Sequence, residues 1–163
     1  MRTKTRILFI CTANAARSQM AEGLLRAKYG DIYEVFSAGT RQSKVSTSAI
    51  TVMQEIGIDI SHHRSKTIDE FRRTSFDLAV TLCDKANAIC PIVSGAKKTI
   101  HHGFTDPHIV PGTDETILDG YRRVRDEIAG WIDVEFGPCP KNNPFFNKKI
   151  DTVPPHSLNN LVR

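Results

Sequence analysis

Cys11 and Arg17 stand six positions apart with only small residues between them, in the stretch Arg6-Ile-Leu-Phe-Ile-Cys-Thr-Ala-Asn-Ala-Ala-Arg-Ser-Gln-Met20. A thiolate is a strong nucleophile, and a guanidinium grips two oxygens of a tetrahedral oxyanion at once. Thr12, Ala13, Asn14, Ala15 and Ala16 are small enough to wrap their backbone N–H groups around such an anion. Asn14 tolerates the left-handed backbone that a tight nest requires. Ser18 stands one residue past the arginine, where its hydroxyl can hydrogen-bond the sulfur. Nucleophile, cradle and clamp together suit attack on phosphate or a phosphate mimic.

The flanking residues say what must hold this loop. Ile7 to Ile10 form a short apolar run that reads as a buried strand, and helical spacing begins at about Arg17. Cys11 therefore ends a strand, and the loop opens onto a helix N-terminus whose dipole favours an anion and a negative sulfur. The helix runs to Tyr29, with Gly30 as its stop. Tyr33 to Ser37 is the second predicted strand, ending at Ala38-Gly39, and Ser46 to Ile56 a second helix stopped by Gly57. Thr67-Ile-Asp-Glu70 has the pattern of a capping box that opens a short helix towards Arg73. Phe76 to Leu82 is the third strand and Lys98 to His102 a weaker fourth. Ile117, Tyr121, Val124, Ile128, Trp131 and Ile132 then share one face of a long amphipathic helix.

Strands alternating with helices predict an α/β fold, a three-layer sandwich around a four-stranded parallel sheet. Ligands of such sheets bind beyond the carboxyl ends of the strands. Cys11, Ser37 and Cys83 each end or follow a strand, so all three are candidates for that edge. Residues 1–136 read as one domain. The last 27 residues, 137–163, hold five of the eight prolines and five asparagines with no helical period, and read as a tail.

That tail also explains the charge. It contributes +3 of the overall +4, so the remainder is nearly neutral and carries no basic stripe with interleaved aromatics. Nucleic-acid binding is not expected. No run approaches the roughly 20 apolar residues of a membrane span. The basic start, Met1 to Arg6, precedes an apolar run too short for a signal peptide, so a cytoplasmic address is expected. In that compartment the four cysteines (Cys11, Cys83, Cys90 and Cys139) suggest catalytic or redox use rather than a disulfide framework. His62-His63 and His101-His102 lack the spacing of a metal site on a helix and read as surface or strand residues. No metal or cofactor is expected.

Cys11-Thr-Ala-Asn-Ala-Ala-Arg-Ser-Gln-Met-Ala-Glu-Gly23 resembles the signature of the low-molecular-weight protein tyrosine phosphatase superfamily. The similarity continues through Phe36-Ser-Ala-Gly39, Ile56-Gly-Ile-Asp-Ile-Ser61, Val80-Thr-Leu-Cys83, Gly103-Phe-Thr-Asp-Pro107 and Arg122-Arg-Val-Arg-Asp-Glu-Ile128, most closely resembling the thioredoxin-coupled arsenate reductases. It covers about residues 6–135. The resemblance implies Cys11 as nucleophile, Arg17 as oxyanion clamp and Asp106 as the acid that protonates the leaving oxygen. Asn14, Ser37 and Glu22 match positions that brace the loop.

It also implies that Cys83 attacks the sulfur of an arsenylated Cys11 and that Cys90 then resolves the Cys11–Cys83 bridge. Thioredoxin or another dithiol would reduce the product. The substrate would be arsenate or phosphate, and the rival reading on the same scaffold is a phosphatase, which needs only Cys11, Arg17 and Asp106. Seven residues of intact helix would separate the Cα atoms of Cys83 and Cys90 by about 10.5 Å. A disulfide tolerates about 7 Å at most, so a helical segment there would have to unwind on oxidation.

Five departures from the family pattern matter. Ala13 replaces a glycine, which would cost about 1 kcal/mol if its φ had to be positive. Ala15 removes a hydroxyl that would brace the loop, and Ala16 removes a cysteine that could trap Cys11 locally. Lys66 stands near a position where some relatives hold a potassium ion, so its ammonium could take that place. His108 and Ile109 follow Asp106-Pro107 where tyrosine phosphatases carry two tyrosines, which favours a small inorganic oxyanion.

Overall fold

A computed structural model describes residues 3–83, 93–109 and 111–138. Four parallel strands, β1 (Thr5–Cys11), β2 (Tyr33–Gly39), β3 (Leu78–Thr81) and β4 (Thr99–His101), lie in the order β2-β1-β3-β4. β1 is buried on both faces, which is why it reads as an unbroken apolar run. Ile7 and Phe9 point to one face and join a core with α1 (Arg17–Tyr29), α2 (Thr47–Gln54) and α3 (Asp114–Phe136). Leu8 and Ile10 point to the other, where Phe76, Phe36 and Phe71 pack edge to face. Phe71 closes a 3-10 turn, Ile68–Phe71, that helps cover this second face.

The expected capping box is absent at that turn. Thr67 is held in a bridge with Gly39, and the Glu70 carboxylate pairs with Arg64 at 2.6 Å. The segment forms one 3-10 turn without a side-chain cap. The third strand is also shorter than its apolar run: Phe76 bridges to Ala96 instead of extending the ladder.

α2 begins as its sequence predicts, with the Ser46 hydroxyl accepting the Ala49 N–H. It ends before Gly57, whose φ of +78° needs a glycine. Arg122 and Arg125 of α3 bind Glu55 at 2.7 and 3.1 Å, locking α3 against the end of α2. The strand order reverses between β1 and β3, so the chain diverges at the carboxyl ends of these two strands. That divergence opens the crevice where parallel sheets hold ligands. Cys11 stands at that point. Of the expected tail, only Gly137 and Pro138 fall within the described residues. Among the described residues no helix is long and apolar enough to cross a membrane.

Candidate active site

The loop after β1 is held by its carbonyls. The oxygens of Cys11 and Thr12 accept the N–H groups of Thr40 and Arg41 at 3.2 and 3.0 Å. Ala13 O accepts from the Ser65 hydroxyl at 2.9 Å, Asn14 O from Gln19 Nε2 at 3.1 Å and Ala15 O from the Ser46 N–H at 2.8 Å. There are no cis peptide bonds among the described residues, and a trans peptide points its N–H opposite to its carbonyl. With five successive carbonyls drawn outward, the amides of Thr12 to Ala16 turn towards the concave side. Gly39 permits the packing, since a Cβ there would lie 2.7 Å from the Asn14 nitrogen and 2.8 Å from the Thr12 oxygen.

Asn14 is the keystone. It is fully buried, and its φ of +47° makes it the sole non-glycine residue with positive φ among those described. Its side chain uses all four hydrogen-bonding positions. Oδ1 accepts from the Lys66 N–H and from Gln19 Nε2, both at 2.8 Å. Nδ2 donates to Ser18 Oγ at 2.8 Å and Ser37 Oγ at 2.9 Å. Ala13 keeps a negative φ, so the penalty expected for replacing glycine does not arise.

Cys11 ends β1 and is 2% exposed. Its sulfur lies 2.8 Å from Ser18 Oγ. Since Asn14 already donates to that oxygen, the Ser18 proton is free to point at the sulfur, an arrangement suited to a negative sulfur. Arg17 begins α1 and is 5% exposed. One guanidinium nitrogen donates to Phe104 O at 3.1 Å, and another lies 3.4 Å from Asp106 Oδ2. Asp106 Oδ1 accepts the His108 N–H at 3.0 Å, closing a turn at Asp106-Pro107. The anion loop, Arg17 and Asp106 line one cleft of about 600 Å³, which Arg41, Lys44, Tyr121 and His108 also line.

The sheet register brings in a second thiol. Ile10 pairs with Thr81, and the Leu82 N–H donates to Ile10 O at 2.8 Å, so the next residue falls opposite Thr12. Cys83 Sγ lies 3.7 Å from Thr12 Oγ1 and is partly exposed. Of the sequence candidates, Cys11, Thr12, Ala13, Asn14, Ala15, Ala16, Arg17, Ser18, Cys83 and Asp106 therefore gather at one sheet edge. Cys90, with the proposed unwinding of residues 84–90, lies outside the described residues.

A cluster behind the loop corrects the reading of His63 as a surface residue. Its side chain is 6% exposed. Nδ1 faces two acceptors, Glu22 Oε2 at 3.0 Å and Gln19 Oε1 at 2.9 Å, whereas Nε2 faces the Arg26 guanidinium at 3.3 Å. Only the neutral Nδ1–H tautomer satisfies all three. Glu22 thus braces the loop at one remove, through His63 and Gln19 to Asn14. A sequence signal existed: Gln19, Glu22 and Arg26 form a polar row at helical spacing, and Gln19 and Glu22 fall in the buried part of α1. Polar groups so placed need partners from elsewhere. Lys66 Nζ donates to Arg64 O at 3.0 Å, and burial holds the lysine below its ordinary value.

Burial, reinforced by Arg26, His62 and Lys66 against the opposing pull of Glu22, depresses the His63 pKa below the usual 6.5. The unfolded chain therefore binds a proton there before the folded one does, and folding stability drops as pH falls. His63's contribution is complete above pH 6.5 and is lost as pH falls from there through the lowered folded-state value. Melting temperatures measured between pH 7.5 and about 5 are expected to fall less steeply in His63→Gln than in wild type. Parallel curves would contradict the assignment.

Residues 6–130 match the family model of the low molecular weight phosphotyrosine protein phosphatase. The chain is 47% identical over 123 residues to an arsenate reductase of Halalkalibacterium halodurans, covering 76% of this chain and 88% of the relative. An arsenate reductase solved in its phosphate-binding state superposes with a TM-score of 0.64 at 29% identity, covering 79% of this chain and 94% of that one. A thioredoxin-dependent arsenate reductase of Corynebacterium glutamicum gives a TM-score of 0.56 at 27% identity, over 81% of this chain and 62% of that one.

Proposed function

The chain belongs to the low molecular weight phosphotyrosine protein phosphatase family, and from that premise we propose that it is an arsenate reductase recycled by thioredoxin. The observation that carries the proposal is the second thiol. A phosphatase needs one sulfur at the loop, whereas Cys83 lies against Thr12 of the same loop.

In the first step the Cys11 thiolate attacks arsenic in HAsO₄²⁻, held by the loop amides and Arg17. An As–O bond breaks, and the oxygen leaves as water with the proton of Asp106, giving a Cys11–S–AsO₃²⁻ adduct and an Asp106 carboxylate. In the second step the Cys83 thiolate attacks the Cys11 sulfur. The S–As bond breaks with both electrons going to arsenic, so As(V) becomes As(III) and two thiolates become a disulfide. The departing AsO₃³⁻ takes up three protons from water. Cys90 then attacks the sulfur of Cys83, releasing Cys11 as thiolate and leaving a Cys83–Cys90 disulfide. Thioredoxin, on which the Corynebacterium glutamicum arsenate reductase depends, is the dithiol that would reduce it.

The free thiols of Cys11 and Cys83 fit an address in the cytoplasm, where that reductant is kept reduced. The expected result is arsenate-dependent oxidation of NADPH when the protein, thioredoxin and thioredoxin reductase are all present, and none when any one is omitted. No arsenite from the complete mixture would overturn the proposal.

A second reading has its own support. The cleft runs from the loop past Lys44 to Tyr121, beyond what one oxyanion fills, so an organic phosphate ester fits as well. With His108 and the 66% exposed Ile109 after Pro107, no tyrosine pair stacks on a phosphotyrosine ring there. Small phosphate monoesters are therefore the better candidates for hydrolysis.

A further inference from the structure

A circuit of contacts runs round the mouth of the cleft, and one hydroxyl joins its two halves. On one side the Ser46 N–H donates to Ala15 O of the anion loop at 2.8 Å, and the Ser46 hydroxyl donates to the Tyr121 oxygen at 3.0 Å. On the other, the Tyr121 hydroxyl lies 3.3 Å from His108 Nδ1. The His108 N–H donates to Asp106 Oδ1 at 3.0 Å, and Asp106 Oδ2 returns to Arg17 at 3.4 Å. With Ser46 donating to the Tyr121 oxygen, the Tyr121 proton is left for His108 Nδ1.

Tyr121 is well placed to be the fixed point. It is 1% exposed on α3, one and two turns before the buried Val124 and Ile128, and α3 is bound to the end of α2 through Glu55. The Asp106 turn, by contrast, is a short 3-10 segment closed by its own bonds, His108 N–H to Asp106 Oδ1 and Ile109 N–H to Asp106 O at 3.4 Å. Such a turn moves as a unit unless tied down. We propose that Tyr121 is a positioning residue that, through His108, holds Asp106 within proton-transfer reach of the oxygen leaving the anion bound at Cys11. This rests on the reading of Asp106 as the acid of the first step, in which the Cys11–As or Cys11–P bond forms, the bond to the leaving oxygen breaks and that oxygen takes the Asp106 proton. A group that only positions an acid changes the chemical step and leaves ground-state binding alone.

Tyr121→Phe is expected to lower kcat for arsenate reduction about 10-fold, with KM for arsenate and the rate of Cys11 alkylation by iodoacetamide within about 2-fold of wild type. His108→Ala, at an exposed turn, should give the same loss, and the double variant no further loss, since both cut one tether. A second readout depends on the leaving group. Hydrolysis of phenyl phosphate, whose phenol is a poor leaving group without a proton, should fall about 10-fold, while p-nitrophenyl phosphate falls less than about 2-fold.

Unchanged arsenate turnover, a parallel rise in KM, multiplicative losses in the double variant or equal loss on both esters would each overturn the inference. If Tyr121→Phe does not fold, His108→Ala decides on the same readouts. A wild-type protein that releases no arsenite refutes the reductase reading alone, and the ester ratio then judges Tyr121. One that also hydrolyses neither ester refutes both.

Discussion

Cys83→Ser is expected to lose arsenate turnover by about 10³-fold or more while the chemistry at Cys11 continues. Reduction of As(V) to As(III) takes two electrons, and one thiolate cannot supply them as a disulfide. Without a second sulfur the Cys11 adduct can only hydrolyse back to arsenate. The replacement differs by one atom at a partly exposed site, so stability should change by no more than about 0.5 kcal/mol. Hydrolysis of p-nitrophenyl phosphate, which needs no second thiol, should persist within about 3-fold. Cys90→Ser gives a different signature: one equivalent of arsenite, then arrest with a Cys11–Cys83 bridge visible by mass as a loss of two hydrogens. Sustained arsenite release from Cys83→Ser would remove the basis of the relay, and equal loss of both activities would reassign Cys83 to the structure of the loop.

The loop itself was legible because its chemistry is local. Cys11, Asn14, Arg17 and Ser18 lie within eight residues of one another, and a strand end and helix start fix their geometry. The elements were legible from period: β1 carries an unbroken apolar run from Ile7 to Ile10 because both its faces are covered, and α3 keeps its stripe because one face is not. What could not be read depends on partners distant in sequence. His63 looks like a surface histidine until Glu22, Gln19 and Arg26 are brought to it from α1. Thr67 to Glu70 satisfies the capping pattern, but Arg64, from the preceding segment, draws off the Glu70 carboxylate and Thr67 is placed in a backbone bridge with Gly39. Tyr121 belongs to the apolar face of α3, as its spacing says. Its hydroxyl gains a role only because Ser46 and His108, from two other segments, meet there. Proximity of Cys83 to the loop was suggested by its place after a strand, and it is the β1–β3 register that sets it opposite Thr12.

Asn14→Ala should be the most damaging substitution in the loop short of removing Cys11 or Arg17. Two costs add. An alanine at φ +47° loses the tolerance for left-handed backbone that asparagine has, about 1 kcal/mol. Four hydrogen bonds, three of them buried and one partly buried, also vanish, stranding the Lys66 N–H and leaving Gln19, Ser18 and Ser37 each short of a partner, about 2 kcal/mol or more in sum. A loss near 3 kcal/mol corresponds to a fall in Tm of roughly 6–12 °C for a chain of this size. Asn14→Gly separates the terms: it restores the backbone freedom and not the bonds, so it should recover about 1 kcal/mol of the loss. Activity should respond differently. The amides that grip the anion are aimed by the same bonds, and a displacement of about 1 Å there costs on the order of 10² in rate. Both variants should therefore lose kcat/KM by about that factor, although glycine recovers stability. If the glycine variant recovered activity along with Tm, the backbone conformation alone would shape the loop, and the four side-chain bonds of Asn14 would have no part in catalysis.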